Sequence, residues 1–149
     1  MSQSDTAQVE ALYQERILEH YRKPRNMGPL QGATSSAKQS NPLCGDSVEV
    51  YVVVSSDVVT RAGFTGEGCS IMRATASMMT ELVRGKTLRE LRELSRGFTR
   101  VISGNGDAKD SEALGDLSAF STLHRVPARA RCAMLPWEAL EAALGSSPA

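Results

Sequence analysis

The sequence predicts an α+β protein in which a small antiparallel sheet is covered by helices. Three observations predict it. Two β-like runs, "SVEVYVVV" and "VVTRAGF", follow one another with the turn-forming "SSD" between them, as in a hairpin. The apolar residues after Cys69 recur at helical spacing. Strands come early and helices late, so the regular alternation that builds a parallel sheet is absent.

Taken in order, residues 6–21 read as an amphipathic helix with Val9, Leu12, Tyr13, Ile17 and Tyr21 on one face. Pro24 ends it, and "PRNMGPLQGATSSAKQSNP" reads as a long loop rich in turn formers. Strands are expected at Val48–Val54 and Val58–Phe64, followed by the glycine-rich loop "TGEGC". "SIMRATASMMTELVRG" then has Ile71, Ala74, Met78 and Leu82 at helical spacing, with Ser70 suited to the N-cap and Gly85 to the stop. "TLRE" at 87–90 is a capping-box sequence opening a helix through Leu88, Leu91, Leu94 and Phe98. "SGNGDAKDSEALGD" reads as an exposed loop, and Leu114–Leu123 as a short helix. "PARARC" leads into a final helix, "AMLPWEALEAAL", with Pro136 and Trp137 near its first turn. One domain over 1–149 is expected, with flexible tails at 1–7 and 145–149.

Composition excludes several function classes. Seventeen basic residues balance seventeen acidic ones, which gives no electrostatic reason to bind nucleic acid. No apolar run approaches the roughly eighteen residues of a membrane span, and the polar N-terminus is no secretory signal. The three cysteines, Cys44, Cys69 and Cys132, are odd in number, which argues against a disulfide framework and for reduced thiols in the cytoplasm.

Each thiol has a candidate chemical setting. Cys44 stands in a loop before a strand, Cys69 at the entry to a helix, and Cys132 ahead of the last helix. Thiols at helix N-termini are drawn toward thiolate by the dipole and unpaired N–H groups. In an extended segment residues i and i+2 face one side, so Cys44 and Asp46 can share a site across Gly45. Three thiolates and one carboxylate suffice for a tetrahedral ion, and thiolates select zinc or iron–sulfur chemistry. Two plainer readings stand beside this one: an isolated cysteine is commonly a small buried hydrophobe, and Asp after Gly is commonly a turn residue.

"NPLCGD", "FTGEGCSI", "ASMMTELVRGKT" and "PARARCAMLPWEAL", in that order and spacing, resemble the SufU-like branch of the IscU/NifU N-terminal family of iron–sulfur cluster assembly proteins. "HYRKPRNMG" resembles the family's opening segment, and the likeness runs from about Leu12 to Leu144. It implies a sheet of about three antiparallel strands and a metal site of Cys44, Asp46, Cys69 and Cys132. It further implies that Cys44 accepts sulfur, and the harder, more easily exchanged oxygen ligand of Asp46 suggests that this residue gates the site. IscU-type members carry a histidine directly before the third cysteine; here that position is Arg131, which cannot be a ligand. The stretch from Ser103 to Leu123 is also longer than in IscU-type proteins, as in SufU-like members.

The resemblance therefore implies a zinc-dependent sulfur acceptor that takes persulfide sulfur from a SufS-type cysteine desulfurase and serves downstream cluster-assembly proteins. The alternatives are an IscU-type scaffold holding iron or a two-iron, two-sulfur cluster, and a structural zinc adaptor. Arg125, Arg129 and Arg131 read as solvated charge or as groups that orient a partner, with Arg131 also placed to stabilise a persulfide anion. His20 and His124 read as surface or packing residues, and Met78 and Met79 as core. Met72 and Arg73 stand where small polar residues are typical of the family, and nothing in the sequence accounts for them.

Overall fold

The computed structural model describes residues 14–43 and 45–145. Expectations for Val9, Leu12, Tyr13, the 1–7 tail, Cys44 and residues 146–149 fall outside the described residues. The first helix, α1, is described over 14–22 and ends before Pro24 as expected, with Ile17 packed on the core.

Three strands follow: β1 (Ser35–Asn41), β2 (Asp46–Ser55) and β3 (Val58–Glu67), antiparallel in the order β1-β2-β3. Val48, Val50 and Val52 alternate along β2 with no exposed surface, which fixes one face of the sheet toward the helices. Ser56 (φ +51°) and Asp57 (φ +62°) join Ser55 to its partner Val58, two left-handed residues as a type I′ turn requires. The expected hairpin is present. β1, however, lies inside the stretch expected to be loop. Its sequence SSAKQSN has one face exposed and almost no apolar residue, so the edge strand carries no hydrophobic alternation.

The helices are α2 (Ser70–Leu82), α3 (Leu88–Ile102), α4 (Ala108–Leu114) and α5 (Pro127–Ala143), with a 3-10 segment, Gly115–Arg125, before α5. Thr87 and Glu90 form the expected capping box: the Glu90 N–H donates to Thr87 Oγ1 (3.1 Å) and the Thr87 N–H to Glu90 Oε1 (3.1 Å). α4 replaces part of the predicted loop. Asp107 and Asp110 cap it reciprocally, and Arg100 clamps Asp110 through two bonds of 2.9 and 2.7 Å. The expected short helix at Leu114–Leu123 is the 3-10 segment instead.

α5 corrects a second expectation. The final helix begins at Pro127, not at Ala133, because Pro127 is the proline that suits the first turn. Pro136 and Trp137 therefore lie deep inside it. Trp137 is fully buried and stacks on Phe98 (5.5 Å between centroids, 27° between planes), which meets Phe120 edge-on at 6.3 Å. α5 packs on β1, β2 and α2, which brings its middle turn to one end of the sheet. Among the described residues no helix is long and apolar enough to cross a membrane.

Candidate metal centre

Asp46 opens β2 and pairs with Asn41, the last residue of β1, and Pro42, Leu43 and Gly45 lie in the turn between them. Asn41 organises that turn from below: its Oδ1 accepts the Leu43 N–H (3.1 Å) and its carbonyl accepts the Gly45 N–H (2.9 Å). Gly45 has φ +75°, a conformation that favours glycine. Leu43 is 86% exposed, the most solvent-facing large apolar side chain among the described residues. Cys44 lies between them in the sequence.

Cys69 is the N-cap of α2, one residue earlier than the expected Ser70. Its side chain makes no capping bond and is turned to Asp46 instead. The Cys69 N–H donates to Asp46 Oδ1 (3.0 Å) and its thiol to Oδ2 (3.3 Å), and Asp46 is only 2% exposed. Two glycines make this approach possible. A Cβ on Gly68 (φ +154°) would stand 2.3 Å from Asp46 Oδ1, and one on Gly66 would stand 2.5 Å from the Ser47 carbonyl oxygen. The motif "GEGC" is thus a close-packing requirement of the site.

Cys132 reaches the same place from α5. It is the sixth residue of that helix and 4% exposed, on a buried face with Ala133 and Leu135. The expectation that it precedes the helix and feels its N-terminal dipole is therefore corrected. Burial and the packing of α5 on the sheet position this thiol, with no helix end involved.

One carboxylate oxygen of Asp46 and the sulfurs of Cys69 and Cys132 all lie within 4.8 Å of one another. Tetrahedral zinc with bonds of about 2.0–2.3 Å sets its donors roughly 3.5–3.8 Å apart. The 3.3 Å sulfur–oxygen approach is close to that edge, and the remaining separations need contraction of about 1.3 Å at most. Soft sulfur donors with one carboxylate are a set that zinc accepts and magnesium or calcium does not favour. The donor chemistry fits.

Other candidates fall elsewhere. Arg131 is exposed beside Cys132; burial raises the Glu138 carboxyl, and the Arg131 charge works against that rise. His20 is buried away from the cluster, its Nδ1 2.7 Å from Ser77 Oγ and its Nε2 3.8 Å from Glu81; burial is the main cause lowering its pKa. His124 is exposed, with Nδ1 2.7 Å from the Ser121 carbonyl. Both are packing or surface residues. Met72 and Arg73 now have an account: Met72 fills the core under β3 near Gly66, and Arg73 lies over the Tyr21 ring (5.5 Å) and bonds Met27 Sδ (3.4 Å), tying α2 to α1.

Residues 12–148 match the family model described as the NifU-like N terminal domain. The chain is 39% identical over 138 residues to the zinc-dependent sulfurtransferase SufU of Bacillus subtilis, covering 93% of this chain and 92% of that one. It is 32% identical over 136 residues to the iron–sulfur cluster assembly scaffold protein IscU of Streptococcus pyogenes, covering 91% and 84%. The crystal structure of the N-terminal part of a nitrogen-fixing NifU-like protein from Brucella abortus superposes with a TM-score of 0.82 at 27% identity, covering 92% of this chain and 94% of that one. The chain belongs to the NifU-like N-terminal domain family, and its three-stranded sheet with packed helices is that family's fold.

Proposed function

We propose that this family member works in iron–sulfur cluster assembly as a zinc-dependent sulfur acceptor, taking persulfide sulfur from a SufS-type cysteine desulfurase in the cytoplasm. The observation that carries the reading is the convergence of Asp46, Cys69 and Cys132 within 4.8 Å, with Cys44 two residues before Asp46 in the sequence. Its likeness to a zinc-dependent sulfurtransferase supports the same reading.

Cys44, Asp46, Cys69 and Cys132 would hold the ion. Bound zinc would keep the thiols deprotonated near neutral pH and protect them from oxidation. Cys44 is the acceptor because it is next in sequence to Leu43, which is 86% exposed, whereas Cys69 caps α2 and Cys132 lies within α5. Its thiolate attacks the terminal sulfur of the desulfurase persulfide, forming a new S–S bond. The old S–S bond breaks and the desulfurase cysteine leaves as thiolate with the electron pair, so the exchange needs no outside oxidant. Asp46, fixed by the Cys69 N–H, keeps one side of the site in place while Cys44 works. Arg131 can steer the anionic persulfide.

A scaffold reading has support from the IscU relatives. Arg131, which occupies the place of a histidine in IscU-type members and cannot ligate iron, favours the relay. The test is cysteine desulfurase turnover with zinc-loaded protein, followed by attempted cluster reconstitution. Faster turnover that vanishes in Cys44→Ser, without a stable coloured cluster, is the expected result. A stable cluster with no stimulation would establish the scaffold instead.

A further inference from the structure

α5 changes character at Cys132. Residues 127–131 are exposed or half-buried, whereas Cys132, Ala133, Leu135, Pro136 and Trp137 are buried. Trp137, stacked on Phe98, anchors the second part to the core. The thiol of the metal centre therefore sits where a solvated lead-in meets a fixed helix.

Pro136 lies four residues beyond Cys132, inside the helix. In an α-helix the carbonyl of residue i takes its hydrogen bond from the N–H of residue i+4. Proline has no N–H, and its ring crowds the carbonyl four residues back. Residue 136 thus has no N–H to offer the Cys132 carbonyl, whatever other partners Cys132 has. Proline is the least favourable residue a helix interior can carry. It is not needed to start α5, since Pro127 already occupies the first turn.

We propose that Pro136 is a positioning residue for the metal centre. It loosens and displaces the backbone of α5 at Cys132, so that Sγ comes to rest against Asp46 and Cys69, and it does so at the expense of helix stability. This rests on the reading of the cluster as a metal centre. It adds a determinant that is neither a ligand nor a neighbour of one in sequence.

The test compares wild type with Pro136→Ala and Pro136→Ser by thermal melting of the metal-free proteins and by titration with Co(II) and zinc. Both substitutions restore an N–H at 136. The metal-free melting temperature should rise, more for Ala than for Ser. Metal affinity should fall by about tenfold, in the range typical of groups that support a ligand. The Co(II)–thiolate absorption should change shape, because the geometry at Cys132 changes. A stabilised variant with unaltered affinity and spectrum would overturn the proposal, leaving Pro136 a tolerated helix defect. Loss of stability or failure to fold in both variants would overturn it too, by showing that the ring is needed for packing. Wild type that takes up neither metal would refute the metal centre itself, whereas equal binding by wild type and variants would refute only the role of Pro136.

Discussion

Asp46 and Asp110 are both buried aspartates that accept the backbone N–H of a helix N-cap, Cys69 for one and Asp107 for the other. Asp110 also receives two bonds from the Arg100 guanidinium, which hold its carboxyl down at about 2. Asp46 receives the Cys69 thiol and faces the sulfur of Cys132. The first carboxylate is matched to a cation that the chain itself provides, and it closes α4 onto α3. The second is grouped with soft donors, an arrangement that becomes favourable when an ion supplies the positive charge. Burial of a carboxylate alone does not separate a structural group from a chemical one; the partners do.

The largest effect is expected at Gly68, whose missing side chain lets Asp46 and Cys69 meet. Gly68→Ala puts a Cβ onto Asp46 Oδ1 at a backbone angle that L residues rarely adopt. It should abolish zinc retention through desalting and lower stability by about 1–3 kcal/mol, read by metal analysis and urea unfolding. Wild-type zinc content in this variant would break the comparison at its centre.

Asparagine at each aspartate sharpens it next. Asp46→Asn should weaken zinc binding by roughly 10–100-fold, at least the loss seen for groups that only support a ligand, and leave the metal-free protein folded. Asp110→Asn should lower thermal stability and leave zinc affinity unchanged. The opposite pattern in competition titrations would reverse the assignment of the two sites.

Acid provides a smaller effect. The folded Asp110 carboxyl lies near 2, below its ordinary value of 3.8. Its contribution to stability is therefore complete above about pH 4 and is lost as pH falls toward 2. The stability gap between wild type and Asp110→Asn should close over that window in melts at low pH. A gap of constant size would mean that shape, and not charge, makes the pair matter. Smallest is Thr87→Ala, which removes the α3 cap and should cost about 1 kcal/mol with no change in zinc affinity.

The two regions also differ in how readable they are. Cys44, Asp46 and Cys69 are singled out by residue type and by the adjoining Gly45 and Gly68, whereas Cys132, between Arg131 and Ala133, is marked by residue type alone. The capping box at Thr87 was equally legible, since two bonds fix both residue types. β1 was not, because an edge strand of Ser, Lys and Gln needs no apolar pattern when its pairing with β2 supplies the hydrogen bonds. α4 carried a signal that polarity obscured: Asp107 and Asp110 stand at capping-box spacing with an acidic residue in place of the usual glutamate. The start of α5 is not legible because Pro127 and Pro136 both suit a first turn in the sequence. The place of Cys132 inside α5, and not ahead of it, depends on that same choice of first proline.

On the proposed function, donors from the start of β2 and the residues before it, the start of α2 and the middle of α5 bind one ion together. X-ray absorption at the zinc edge of the loaded protein tests it most directly. Three sulfurs at about 2.3 Å and one oxygen near 2.0–2.2 Å are expected around the ion, with one sulfur lost in each single Cys→Ser variant. A shell of nitrogen and oxygen alone, or one unchanged when Cys69 or Cys132 is replaced, would contradict it.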